Sequence, residues 1–178
     1  MKTAVLVIDV QRTLCTGTYA AFEAGRVIDR INAVTSKARA AGAPVVFIQH
    51  EDDELFRLGS EGWKLAEGLE VQSADFHVHK RATDAFHQTD LEPLLNRLGA
   101  SDLVVCGIQS DFCVDTTVRR ALALGFPVVL VADGHSKSDN EVLTAVQISA
   151  HHNVTLSNIT SFGPRVRLFP AAGISFEG

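Results

Sequence analysis

Short apolar runs recur along the chain, and each stops at a glycine or a polar residue. Thr3-Ala4-Val5-Leu6-Val7-Ile8 ends at Asp9, and Pro44-Val45-Val46-Phe47-Ile48 runs into Gln49. Phe76-His77-Val78-His79 ends at Lys80, residues 102–106 stop at Gly107, and Pro127-Val128-Val129-Leu130-Val131 forms a fifth run. Continuous runs of this length, rich in Val, Ile and Leu, fit strands covered on both faces. Between them the apolar residues take helical spacing: Val27, Ile31, Val34, Ala38 and Ala41 after the first run, then Val114, Val118, Ala121 and Leu122 after the fourth. Gly42 and Gly125 stop these two helices. Capping-box patterns at Thr89-Asp90-Leu91-Glu92 and Ser138-Asp139-Asn140-Glu141 open two more, the first through Leu98 and the second to about His151. Val154-Thr155-Leu156 is read as a sixth, weak strand. Strand alternating with helix predicts an α/β fold: a three-layer α/β/α sandwich around a six-stranded, mostly parallel sheet of Rossmann-like type.

The 178 residues suit one domain with a full core, with no linker, low-complexity segment or repeat to divide them. A net charge of −5 without a basic block argues against a nucleic-acid surface. No apolar run approaches the roughly 20 residues of a membrane span. Met1-Lys2 leads straight into the first strand, so a cytoplasmic location is expected. Three cysteines without CxxC spacing suggest neither a disulfide framework nor a zinc site. Residues 49–75 form an irregular, acidic connection, longer than most, with one short helix expected near Lys64–Glu67.

In parallel sheets the C-terminal strand ends share one edge, where ligands bind. Asp9, Lys80 and Cys113 each fall at or just beyond such an end. Cys113 is expected to open a helix over Cys113–Leu124. Free N–H groups there would favour a thiolate, lower its pKa below roughly 8.5 and hold an oxyanion.

At these residues the sequence resembles the isochorismatase-like cysteine hydrolases. Val7-Ile8-Asp9-Val10-Gln11, Lys80 through Ala85-Phe86, and Gly107 through Cys113-Val114 to Gly125 match three motifs of that family in order and spacing. The resemblance implies a catalytic triad of Asp9, Lys80 and Cys113. It also implies a non-proline cis peptide between Ile108 and Gln109, with the backbone N–H groups of Gln109 and Cys113 as oxyanion hole. The expected reaction cleaves a C–N bond of a small amide, carbamoyl or lactam substrate through a thioester. The alternatives are vinyl-ether hydrolysis of the isochorismatase type and a binding protein that retains the fold. Asp84 stands where the family has serine, which places the hydrogen bonding near Lys80 in question. Gln49-His50-Glu51-Asp52-Asp53-Glu54 departs from the family's metal-binding pattern, so no metal or other cofactor is expected.

Gln11, His50, Trp63 and Phe112 are the candidate substrate contacts. Gln11 orients Asp9 or substrate, or caps a loop; Trp63 is a pocket wall or a loop anchor; Phe112 is a pocket or a core residue. His77 and His79 share a strand face but lack a third ligand. Cys106 reads as a buried small hydrophobe, and Cys15 as a bystander or pocket wall. His151 and His152 are expected to end a helix, and Asp133 to form a turn. A homo-oligomer is expected, from the family and from an apolar tail carrying Phe162, Val166, Leu168 and Phe169.

Overall fold

The computed structural model describes residues 2–176. Six strands form one sheet in the order β3-β2-β1-β4-β5-β6, and every neighbouring pair is parallel. The strands are β1 (Thr3–Ile8), β2 (Val45–His50), β3 (Phe76–Lys80), β4 (Asp102–Ile108), β5 (Val128–Ser136) and β6 (Val166–Phe169). The helices are α1 (Arg12–Cys15), α2 (Ala24–Ala40), α3 (Leu91–Leu98), α4 (Asp115–Ala123) and α5 (Ala145–Ser157).

Side chains alternate across each strand, so every central strand feeds two cores. Ala4, Leu6 and Ile8 of β1 face α3, α4 and α5, and pack with Leu95, Val118, Leu122 and Leu156. Val5 and Val7 face α2, and pack with Val27, Ile31, Val34 and Ala38. This is the expected three-layer sandwich. Helix α2 keeps the predicted apolar stripe and ends where Gly42 adopts φ +71°. Gly107 is required by crowding: a Cβ there would run into the backbone of Ile8 on β1. The two central strand ends therefore approach closely where Asp9 leaves β1.

Several local expectations are corrected. Val154–Leu156 lies inside α5, and the sixth strand is Val166–Phe169, drawn from the supposed tail. Val166 is buried beside β5 and Leu168 packs on the core, which removes two of the tail residues invoked for oligomerisation. Ser138–Glu141 forms no capping box, although Asp139 Oδ1 accepts the Ala145 N–H at 2.7 Å; Thr144 and Gln147 form the capping box of α5. Thr89 does not make a capping box either, since Asp90 is the N-cap of α3 and has no side-chain cap bond. No helix forms at Lys64–Glu67, where Leu65 instead makes an antiparallel bridge with Gln11. His151 and His152 lie within α5, and Asp133 lies within β5, where it pairs with Arg30 and accepts the Ala171 N–H. Among the described residues no helix is long and apolar enough to cross a membrane.

Candidate active site

Strand alternation aims Lys80. On β3, Val78 and Lys80 point inward while His77 and His79 point out. The Lys80 side chain is fully buried at the end of an edge strand. A buried ammonium is costly unless it is paired. Its Nζ lies 2.7 Å from Asp9 Oδ2, and donates to Cys113 Sγ at 3.3 Å and to the Ala82 carbonyl at 3.0 Å. Asp9 follows β1 with φ +49°, a left-handed conformation that costs a non-glycine residue about 1–2 kcal/mol. Its N–H donates to Ile48 at 2.9 Å. The structure therefore brings the three predicted residues into one cluster.

Cys113 is not the first residue of an α-helix. It lies in a π-turn, Ser110–Val114, in which the N–H groups of Phe112 and Val114 both donate to the Gln109 carbonyl; α4 starts only at Asp115. The peptide between Ile108 and Gln109 is cis. The expected depression of the thiol pKa is reversed. Burial and then the Asp9 charge push it up to about 12, against the opposing pull of Lys80. Burial also disfavours the Lys80 ammonium, but Asp9 and Cys113 outweigh it and raise the lysine pKa. The resting site thus holds a neutral thiol beside an ammonium–carboxylate pair. Both Asp9 carboxylate oxygens are buried; Oδ2 meets Lys80 Nζ, and Oδ1 has no hydrogen-bond partner. Lys80 neutralises Asp9 while leaving Oδ1 open to accept.

The four candidate substrate contacts separate. Gln11 is fully buried and fastens a loop: its Nε2 donates to the carbonyls of His50 (2.9 Å) and Trp63 (2.8 Å), and its Oε1 accepts the His50 N–H. That occupies its amide in the loop-capping role, one of those expected for it, rather than with Asp9. His50 Nδ1 lies 3.3 Å from Lys80 Nζ. Burial, then the Lys80 charge, lowers the His50 pKa. His50 is thus neutral, with Nδ1 as the acceptor from Lys80. Phe112 is 48% exposed, next to Cys113, with Lys137 Nζ 5.0 Å from its ring centre. The Trp63 carbonyl takes both Gln11 and Gln49, while its ring meets His79 edge-on at 5.2 Å. Its indole N–H is buried without a partner.

Other residues behave simply. Asp84 accepts the Phe86 N–H at 2.8 Å, and Ala85 donates to Thr117, so the segment after Lys80 is held without the family's serine. His77 stacks on Phe47. Cys106 is fully buried in β4, and burial pushes its pKa, like that of Cys15, up to about 12. Two polar groups around the nucleophile turn were not anticipated. Lys137 is 6% exposed and pairs with Asp111 at 2.9 Å. Ser110 joins His135, Ser149 and Asn153. The lone signal for either was a run of polar residues at the end of β5, which resembles an ordinary loop.

The architecture and sequence both have close counterparts. A model of the isochorismatase domain matches residues 3–157. A streptothricin hydrolase from Streptomyces noursei is 39% identical over 76% of this chain and 50% of its own length. The chain spans about half the length of the streptothricin hydrolases it matches. An uncharacterized isochorismatase family protein of Bacillus subtilis, YddQ, is 32% identical over 75% of this chain and 77% of that protein. A crystal structure of an isochorismatase family protein superposes with a TM-score of 0.86 at 35% identity, covering 94% of this chain and 97% of the other. With its six-stranded parallel sheet and the Asp9, Lys80 and Cys113 motifs converging at one edge, the chain belongs to the isochorismatase family.

Proposed function

We propose that the protein is a cysteine hydrolase that cleaves a C–N bond in a small amide, carbamoyl or lactam substrate through a thioester on Cys113. The observation that carries this reading is the cluster itself. One buried ammonium lies 2.7 Å from a carboxylate and 3.3 Å from a thiol, and the second carboxylate oxygen, Oδ1, has no partner.

The raised thiol pKa determines the order of events. A neutral thiol is a poor nucleophile, so its proton must leave as sulfur attacks the carbonyl carbon. Asp9 is the acceptor, and Lys80 stays charged beside it and stabilises the sulfur as negative charge develops. The backbone N–H groups of Gln109 and Cys113 hold the tetrahedral oxyanion. Collapse breaks the C–N bond. The proton taken by Asp9 passes to the leaving nitrogen, which departs as ammonia or an amine and leaves the acyl group on sulfur. Asp9, again a carboxylate, takes a proton from water. The water oxygen attacks the thioester, and collapse returns the proton to sulfur and releases the acid. No net proton or electron is needed beyond one water per turnover.

His50 and Phe112 border the substrate in this reading, and Trp63 supports the loop around it. The similarity to a streptothricin hydrolase supports the reaction class. The test is a panel of streptothricin, N-carbamoylsarcosine, nicotinamide and simple primary amides, assayed for ammonia or amine release. Intact mass is followed for an acyl adduct on Cys113. Release by the wild type together with an adduct that maps to Cys113 supports the reading; turnover unaffected in Cys113→Ala overturns it.

A further inference from the structure

The turn that carries Cys113 is gripped from behind by a chain of polar side chains, buried at Ser110 and His135 and half-buried at Ser149 and Asn153. Ser110 is fully buried, three residues before the nucleophile, and His135 is 3% exposed. Ser110 Oγ lies 2.8 Å from His135 Nδ1 and 3.1 Å from Ser149 Oγ. His135 Nε2 lies 2.9 Å from Asn153 Oδ1, and Asn153 Nδ2 donates to the Ala132 carbonyl at 2.9 Å. Three elements therefore meet at Ser110: the nucleophile turn, β5 and α5. An irregularity in the sheet makes this meeting. Between the pairs Val105–Leu130 and Gly107–His135, β4 advances two residues while β5 advances five. The extra length carries His135 onto the turn.

The chain has one consistent polarity. Asn153 donates through Nδ2, so Oδ1 is its acceptor, and His135 must carry its proton on Nε2. His135 Nδ1 is then bare, and the Ser110 hydroxyl donates to it. That leaves Ser110 Oγ to accept from Ser149. Burial lowers the His135 pKa, which keeps the ring neutral. The charged and titratable groups around it are His152 on α5, Asp133 and Lys137 on β5 and its continuation, Glu23 and Arg30 from the α2 side, and Asp111 and Asp115 near the turn. Most of them face one another: Asp133 with Arg30, Lys137 with Asp111, and His152 with Asp115.

We propose that His135 and Ser110 are positioning residues, in which the neutral Nε2–H tautomer of His135 fixes the Ser110 hydroxyl and thereby the orientation of the backbone between Gln109 and Cys113. The reasoning is geometric. Ser110 follows Gln109 directly, and the Gln109 carbonyl already takes the N–H groups of Phe112 and Val114. A π-turn of five residues has little internal reinforcement of its own, so its orientation depends on what anchors it. Ser110 is that anchor, and neither it nor His135 touches the reacting atoms. The inference rests on the hydrolase reading for its kinetic consequence but not for its tautomer.

Two measurements test it. The first needs no substrate. The imidazole ¹⁵N spectrum of the wild-type protein at pH 7 is expected to show His135 as the neutral Nε2–H tautomer. A Nδ1–H tautomer or an imidazolium there overturns the proposal, even if every amide in the panel proves inert and the hydrolase reading fails by itself. The second uses whichever panel amide the wild type turns over fastest. Ser110→Ala is expected to lower kcat about tenfold or more with KM unchanged, and Ser110→Thr to restore most of it. Asn153→Asp places a carboxylate on His135 Nε2–H and favours the imidazolium. Its kcat is expected to gain an acid limb absent from the wild type, falling about tenfold per pH unit below the new ionisation, because Nδ1–H then turns the Ser110 hydroxyl away. The double variant Asn153→Asp/Ser110→Ala is expected to lose that limb. A folded Asn153→Asp with the wild-type pH profile, or a Ser110→Ala kcat within twofold of wild type, overturns the proposal. If Asn153→Asp does not fold, Ser110→Ala and the spectrum decide.

Discussion

The Asp9–Lys80–Cys113 cluster and the Ser110–His135–Asn153 chain each have two buried members, Asp9 and Lys80 in one and Ser110 and His135 in the other, and both bear on the same turn. They use their hydrogen-bonding capacity in opposite ways. The first is charged and incomplete, with Asp9 Oδ1 lacking a hydrogen-bond partner. The second is neutral, and its bonds run in one consistent direction from Ser149 to the Ala132 carbonyl. A group that must take up and release a proton cannot have every lone pair committed. A group that must hold a backbone still gains from committing all of them. The contrast separates chemistry from positioning within a few residues of sequence.

The largest test of this contrast is Cys113→Ala, which is expected to lower turnover by roughly 10⁴-fold or more while far-UV circular dichroism stays unchanged. Retained turnover would move the chemistry elsewhere. Asp9→Asn is expected to cost turnover about 10²–10⁴-fold by removing the base. It is also expected to speed alkylation of Cys113 by iodoacetamide at neutral pH, since the Asp9 charge helps keep the wild-type thiol pKa up at about 12. The sign follows from the site. With Asp9 neutral, burial alone still opposes the pull of Lys80, so the thiol pKa falls and more thiolate is present at pH 7. Slower alkylation of Asp9→Asn would contradict the electrostatic assignment.

Stability sharpens the comparison further. Lys80→Ala strands a buried carboxylate and is expected to destabilise the fold by about 3–5 kcal/mol in urea. Ser110→Ala strands one neutral acceptor, His135 Nδ1, and is expected to cost about 1–3 kcal/mol. Equal losses would mean that charge is not what distinguishes the two networks. Thr144→Ala, which breaks the capping box of α5 without removing a member of either network, sets the ordinary scale at about 1 kcal/mol.

The sheet-edge residues were legible because strand periodicity and strand ends are local properties. The run from Thr3 to Ile8 had to be a doubly covered strand, and so Asp9 had to lie at its end. Lys80 followed from the same logic on β3. The sixth strand was not legible: Val166–Phe169 is short, and it pairs only because β5 offers an open edge. Val154-Thr155-Leu156 has strand-like residues, but α5 places Leu156 in the core at helical spacing, and packing outweighs β-propensity. Cap residues failed for a similar reason, since several Ser, Thr and Asp positions precede α5 and only the backbone path selects Thr144.

The sequence by itself determined the layer architecture, the first five strands with the helices between them, and the placement of Asp9, Lys80 and Cys113 at one edge. These depend on hydrophobic period and on residues adjacent in the chain. Tertiary structure alone decided the state of the thiol and the meeting of Ser110 with His135, Ser149 and Asn153. A pKa depends on burial and on charges brought from β1 and β3, and a hydrogen-bond chain depends on distances between atoms up to 43 residues apart, as Ser110 and Asn153 are. Neither quantity exists until the sheet has closed the gap.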